Sequence, residues 1–213
     1  MRNLLILTLF IITHVSFSQS NEPIIQDFEN DSTTAKFYYD RGVEKIESKD
    51  YNEAIKDFNE AIKFNPKCAD CHFNRAFVKD LEGDVIGAIE DYTIVSMLTP
   101  NDDLVYYNRG LIKLYLELYE GALKDFDKAI ELNPEIGEYY NSRGVVKQDL
   151  GDINRAIEDY NKVIELEPKH GMAYHNRASC KKALENFDEA CVDAKKSQEL
   201  GFDAQELIDS VCN

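Results

Sequence analysis

The sequence predicts an all-α fold: a solenoid of five helical hairpins closed by a short C-terminal capping helix. Three observations carry that prediction. Four of the five prolines (Pro66, Pro100, Pro134 and Pro168) fall 34 residues apart. Registered on that period from Ala35, five segments align without insertion: 35–68, 69–102, 103–136, 137–170 and 171–204. Inside each segment the apolar and small positions recur at helical spacing.

Numbering each repeat from 1 to 34, the first helix is read from spacings 4-7-8-11. Position 8 is always small: Gly42, Ala76, Gly110, Gly144 and Ala178. A turn follows near positions 15–18, marked by Gly83-Asp84 and Gly151-Asp152. The second helix is read from positions 20-24-27-28. Position 20 is alanine throughout (Ala54, Ala88, Ala122, Ala156, Ala190), and position 24 is aromatic in four repeats (Phe58, Tyr92, Phe126, Tyr160). The small residues let two helix backbones approach closely. The proline at position 32 ends the second helix, because it has no N–H and disfavours helix in the residue before it. One such hairpin cannot bury its apolar face alone; stacked neighbours can. The fifth repeat departs, with Ala194 at position 24 and Phe202 at position 32. After it, Ala204, Leu207, Ile208 and Val211 mark an amphipathic cap over 205–213.

This pattern of small-8, alanine-20, aromatic-24 and proline-32 resembles the tetratricopeptide repeat (TPR) family, in particular its bacterial exported members, over residues 35–204. The resemblance implies a right-handed superhelix whose concave groove is lined by the first helix of each repeat, and a role in binding proteins or peptides without catalysis. It further implies that positions 2, 5, 9, 12 and 13 face that groove. On this sequence those positions give Tyr39, Val43 and Ile46, then Phe73, Phe77 and Leu81, then Leu104, Tyr107, Leu111, Leu114 and Tyr115. The fourth repeat turns polar, with Glu138, Asn141, Gln148 and Asp149; the fifth brings Met172, His175 and Lys182. Repeats one to three thus offer an apolar, aromatic surface suited to an amphipathic helix or an extended apolar peptide.

Three charged positions also recur in every repeat. Position 7 is arginine (Arg41, Arg75, Arg109, Arg143, Arg177) and position 11 is lysine (Lys45, Lys79, Lys113, Lys147, Lys181). Position 23 is aspartate (Asp57, Asp91, Asp125, Asp159, Asp193). A basic ladder of this kind could clamp an acidic peptide. An arginine and an aspartate at fixed offsets more simply satisfy each other, within a repeat or between neighbours. Overall, 40 acids against 24 Lys and Arg give a formal charge of −16, which disfavours nucleic acid and anionic lipid as partners.

The N-terminus reads as an address. Met1-Arg2-Asn3 is followed by an apolar run from Leu4 to Ile12, and Ser16 and Ser18 suit cleavage before Gln19. Residues 1–18 are therefore expected to be a secretory signal peptide, too short to span a bilayer. Mature protein would be extracytoplasmic, periplasmic or secreted, with no membrane insertion. Residues 19–34 are expected to be a polar leader or linker, whose Ile24, Ile25 and Phe28 could fill the groove in cis.

Cys68-Ala69-Asp70-Cys71-His72 spells the C-x-x-C-H of a c-type haem site. The alternative function is accordingly a redox or haem protein using Cys68, Cys71 and His72. A local Cys68–Cys71 disulfide or two thiols are the simpler states, and no βαβ pattern surrounds the motif. Cys191 and Cys212 could meet across the last interface, with Cys180 the odd thiol; Cys180–Cys191 is the competing pair. No catalytic, metal-binding or cofactor motif is otherwise found. A third alternative is a self-associating structural solenoid.

Overall fold

The computed structural model describes residues 22–212, with side chains from residue 31. The expected signal peptide, and the side chains of Ile24, Ile25 and Phe28, lie outside the described residues. Among the described residues, eleven helices follow in chain order. α1 (Glu22–Glu47) pairs with α2 (Tyr51–Phe64), and α3 (Ala69–Leu81) with α4 (Val85–Leu98). α5 (Asp103–Tyr115) pairs with α6 (Tyr119–Leu132), and α7 (Gly137–Asp149) with α8 (Ile153–Leu166). α9 (Gly171–Ala183) pairs with α10 (Phe187–Glu199), and α11 (Gln205–Val211) closes the end. Each helix packs chiefly on its neighbours in sequence, the signature of a one-dimensional stack. Consecutive first helices also touch (α1 with α3, α5 with α7, α7 with α9), whereas no two consecutive second helices come into comparable contact among the described residues. The array therefore curves toward its first helices, which line the inner side.

One expectation needs correction. Residues 22–34 are not a linker: they are helical and continuous with the first repeat, so α1 runs for 26 residues. No glycine or proline interrupts the chain between Ile24 and Arg41, and Pro23 lies in the first turn, where its missing N–H costs no helical bond.

The close approach at position 8 has a direct cause. A Cβ added at Gly42, Gly110 or Gly144 would lie 2.7, 2.8 or 2.7 Å from the ring at position 24 of the same repeat, Phe58, Phe126 or Tyr160. These rings are fully buried and fill the space that the glycines leave. Where position 8 is Ala76, the facing ring is Tyr92, also buried, so that hairpin has adjusted to one extra methyl.

The hairpin turns share one geometry. Position 15 is left-handed in all five repeats: Lys49 (φ 61°), Gly83 (83°), Glu117 (57°), Gly151 (78°) and Glu185 (61°). The next residue's N–H returns to the lysine carbonyl at position 11, for example Asp84 to Lys79 and Leu118 to Lys113, both at 2.8 Å. This is a Schellman-type stop, recurring at every hairpin.

Candidate functional site

The charged ladder is turned inward. Each position-7 arginine makes a two-point fork to the position-23 aspartate of its own repeat. Nε lies 2.8–3.0 Å from one carboxylate oxygen and Nη2 2.5–2.6 Å from the other. From the second repeat on, the position-11 lysines complete the cluster: Lys79, Lys113, Lys147 and Lys181 reach Asp91, Asp125, Asp159 and Asp193 at 2.6–2.9 Å. In the first repeat Lys45 instead pairs with Asp50 at 3.5 Å. From the second repeat on, the free Nη1 of the arginine reaches back to position 25 of the preceding repeat. Arg75 donates to Asn59, Arg109 to Thr93, Arg143 to Asp127 and Arg177 to Asn161. One arginine thus ties helix to helix and repeat to repeat. These cations are consumed by the fold and do not form a clamp for an acidic ligand. The position-25 partners were not read from the sequence, because Asn, Thr, Asp and Asn share no single chemical type.

Asp91 carries the most partners of these aspartates. Burial would raise its carboxyl, but hydrogen bonds from His72, Arg75 and Lys79 outweigh burial and hold it well below the usual carboxylate range. His72 stands where the other repeats place tyrosine. Tyr106 and Tyr174 donate to the carbonyls of Pro100 and Pro168 and lie under Arg109 and Arg177. The His72 ring keeps the proline contact, with Nε2 3.3 Å from the Pro66 carbonyl oxygen, and adds Asp91 at 3.2 Å from Nδ1.

That arrangement does not fit haem attachment. Both His72 nitrogens face protein oxygens in a buried site, and the Cys68 and Cys71 sulfurs are bonded to each other. Cys191 and Cys212 form the second disulfide, so Cys180 does not pair with Cys191. Cys180 is a buried thiol donating to Gln148 Oε1, and burial pushes it up to about 11. Among the described residues, no group of three or more His, Cys, Asp or Glu side chains is placed to hold a metal.

The predicted groove residues divide in two. Tyr39, Val43 and Ile46 are half-buried against Ala54, Phe58 and Val78. Phe73 packs edge-on to Tyr92, and Tyr107 and Leu114 pack around Phe126. These six are helix-to-helix contacts, a correction to their reading as open groove: the large side chains at positions 5 and 12 reach the facing second helix, and Val43 at position 9 packs there as well. Phe77, Leu81, Leu104, Leu111 and Tyr115 are exposed, Tyr115 at 77%. Leu111 and Tyr115 border a cleft of about 490 Å³, shared with Asp80, Gly83 and Val85 of the preceding hairpin. Further along, Asn141 is buried and accepts from Asn176, and Gln148 is held by Tyr160 and Cys180, so neither is open. Glu138, Asp149, Met172 and Lys182 are exposed, and His175 is half-buried beside Phe202.

Stacked helical hairpins without strands among the described residues, cross-tied by repeating forks and presenting an apolar inner surface, define a helical-repeat scaffold. The sequence model of the tetratricopeptide repeat family matches residues 35–68, 104–136 and 137–170. The chain is a tetratricopeptide repeat protein. Its fold is similar to a crystal structure of MamA, with 25% identity, a TM-score of 0.75, and 78% of this chain and 91% of that one covered. It is similar to YrrB, described as a TPR protein with an unusual peptide-binding site, at 18% identity and a TM-score of 0.74, covering 87% and 95%. A PilF structure from Pseudomonas aeruginosa aligns at 17% identity and a TM-score of 0.70, covering 85% and 90%. No curated protein sequence matches the chain.

Proposed function

We propose that the chain is an extracytoplasmic, non-catalytic scaffold that holds a protein segment on the inner face of repeats two and three. The observation that carries this reading is the row of exposed apolar side chains Phe77, Leu81, Leu104, Leu111 and Tyr115 on the first helices. Side chains of this size left open on an inner surface mark an interaction site. The peptide-binding site named for YrrB, on the same fold, supports the reading by analogy only. Acidic Asp80 lies on α3 beside this row, Glu138 and Asp149 lie on α7 of the next repeat, and the whole chain is strongly acidic. The segment that fits is therefore apolar with flanking basic residues. Export rests on residues 1–18 of the sequence.

The test is capture by the purified chain of an apolar, basic-flanked peptide set, compared with Phe77→Asp and Leu111→Asp. Loss of capture with unchanged helical content supports the groove. Capture retained by both variants rejects it, and concentration-dependent elution without capture points to self-association. Fractionation of the producing cells, with the mass of the N-terminal peptide, tests export: a start at Gln19 outside the cytoplasm supports it, and an intact Met1 in the cytoplasm overturns it.

A further inference from the structure

We infer that Cys68 and Cys71 form a redox-active pair, an exchangeable disulfide that accepts two electrons from a dithiol in a protein docked at the α1 end of the stack. Four observations place it apart from a structural crosslink. First, the two cysteines lie three residues apart in one turn of α3, and the backbone already holds that turn through His72 N–H to Cys68 O at 3.2 Å. The bond therefore closes a very short loop and restrains little of the unfolded chain. Second, Cys68 is the N-cap of α3, and the Cys71 N–H points at its sulfur at 3.2 Å. A thiolate there would be stabilised by the unpaired N–H groups of the helix end. Third, the two residues differ in access: Cys71 is fully buried, whereas Cys68 is half-buried. Fourth, Cys68 opens onto a cleft of about 270 Å³ between α1 and the α2–α3 loop, lined also by Ser32, Lys36, Tyr39 and Asn65. Charged groups bordering it are Lys36 from α1, itself paired with Asp40, and Asp70 from α3. No βαβ frame is needed for this chemistry; a helix N-terminus and one half-exposed cysteine at a cleft supply it.

The exchange balances in two steps. A partner thiolate attacks the Cys68 sulfur, a mixed disulfide forms, the Cys68–Cys71 bond breaks, and Cys71 leaves and takes up a proton. The partner's second thiolate then attacks its own sulfur in the mixed disulfide and expels Cys68 as a thiolate facing the helix end. The partner leaves oxidised and the pair is reduced, one exchange per chain. This inference does not depend on the groove reading.

The test uses the full oxidised chain and dithiothreitol as the dithiol, with alkylation and peptide mass mapping. At equimolar dithiothreitol, Cys68 and Cys71 are expected to be labelled while Cys191 and Cys212 stay paired. Simultaneous opening of both pairs, or earlier opening of Cys191–Cys212, overturns the proposal. Single-cysteine variants check the asymmetry with glutathione disulfide as probe. Cys68 in Cys71→Ala is expected to form the mixed disulfide at least about tenfold faster than Cys71 in Cys68→Ala. Equal rates in two variants of wild-type helical content would overturn it.

Discussion

Arg109 holds Asp125 by a two-point fork, Nε to one carboxylate oxygen at 2.9 Å and Nη2 to the other at 2.6 Å. The side chains of Arg109 and Asp125 are 12% and 5% exposed. A third nitrogen of the same guanidinium reaches Thr93 and Ser96 of the preceding repeat, both at 3.1 Å. Breaking such a pair from one side leaves an uncompensated charge inside the stack. Asp125→Ala, which strands both Arg109 and Lys113, is expected to cost about 3–5 kcal/mol. Urea unfolding followed by circular dichroism measures it. Asp57→Ala should cost far less, because Arg41 has no preceding repeat and its side chain is 44% exposed to water. Equal losses would show that the fork contributes the same whether or not water can replace it.

Acid should weaken the second repeat only below about pH 4. Asp91 is buried, yet His72, Arg75 and Lys79 together keep its carboxyl below the ordinary value. A carboxylate depressed in the folded state contributes stability that is complete above its unfolded value, about 4, and is lost as pH falls toward the folded one. Thermal melts between pH 7 and pH 2 are therefore expected to fall below about pH 4. Asp91→Asn should start less stable and show a shallower decline across the same window. An unchanged decline in the variant would remove Asp91 from the explanation.

The turns give a stabilising prediction. Glu117 adopts φ 57° at a position that Gly83 and Gly151 fill at 83° and 78°. A side chain in left-handed backbone costs roughly 1–2 kcal/mol, and glycine returns part of that through the greater freedom of the unfolded chain. Glu117→Gly is expected to raise stability by up to about 1 kcal/mol. Gly151→Ala should lower it by about as much, since nothing within 4 Å would meet the added Cβ and only the backbone matters. Two urea titrations decide this, and the same sign for both substitutions would reject it.

These residues also show how far the sequence could be read. Position 8 glycine and position 24 ring were legible because one clash forces both, repeat after repeat. The Arg–Asp pairing was legible for the same reason. Lys49, Glu117 and Glu185 were not legible as left-handed turns, because only glycine advertises that conformation and they are not glycine. The polar stretch Asn30 to Thr34 suggested a linker but is helical within α1, a state that composition alone does not reveal. Phe77 and Phe73 look alike in sequence; only the facing helix decides that Phe73 lies against Tyr92 while Phe77 stays 41% exposed.

The C-terminal cap depends on its disulfide. α11 has only seven residues, too few to be stable alone, and rests Leu207 and Val211 on Ala178, Ala190 and Ala194. Cys191 and Cys212 join it to α10 across a sequence separation of 21 residues. A loop of that size restrains the unfolded chain by about 3 kcal/mol in the entropic account. The small alanine surface under α11 offers little apolar area to compensate if the bond is lost. Cys212→Ser is the cleaner probe than reductant, because it leaves Cys68–Cys71 intact. Limited proteolysis of the variant is expected to cut first between Gly201 and Asn213, with residues before Gly201 protected as in the wild type. Uniform susceptibility along the whole chain would mean that the cap secures the entire array rather than its last repeat, and unchanged cleavage would mean that packing alone holds α11.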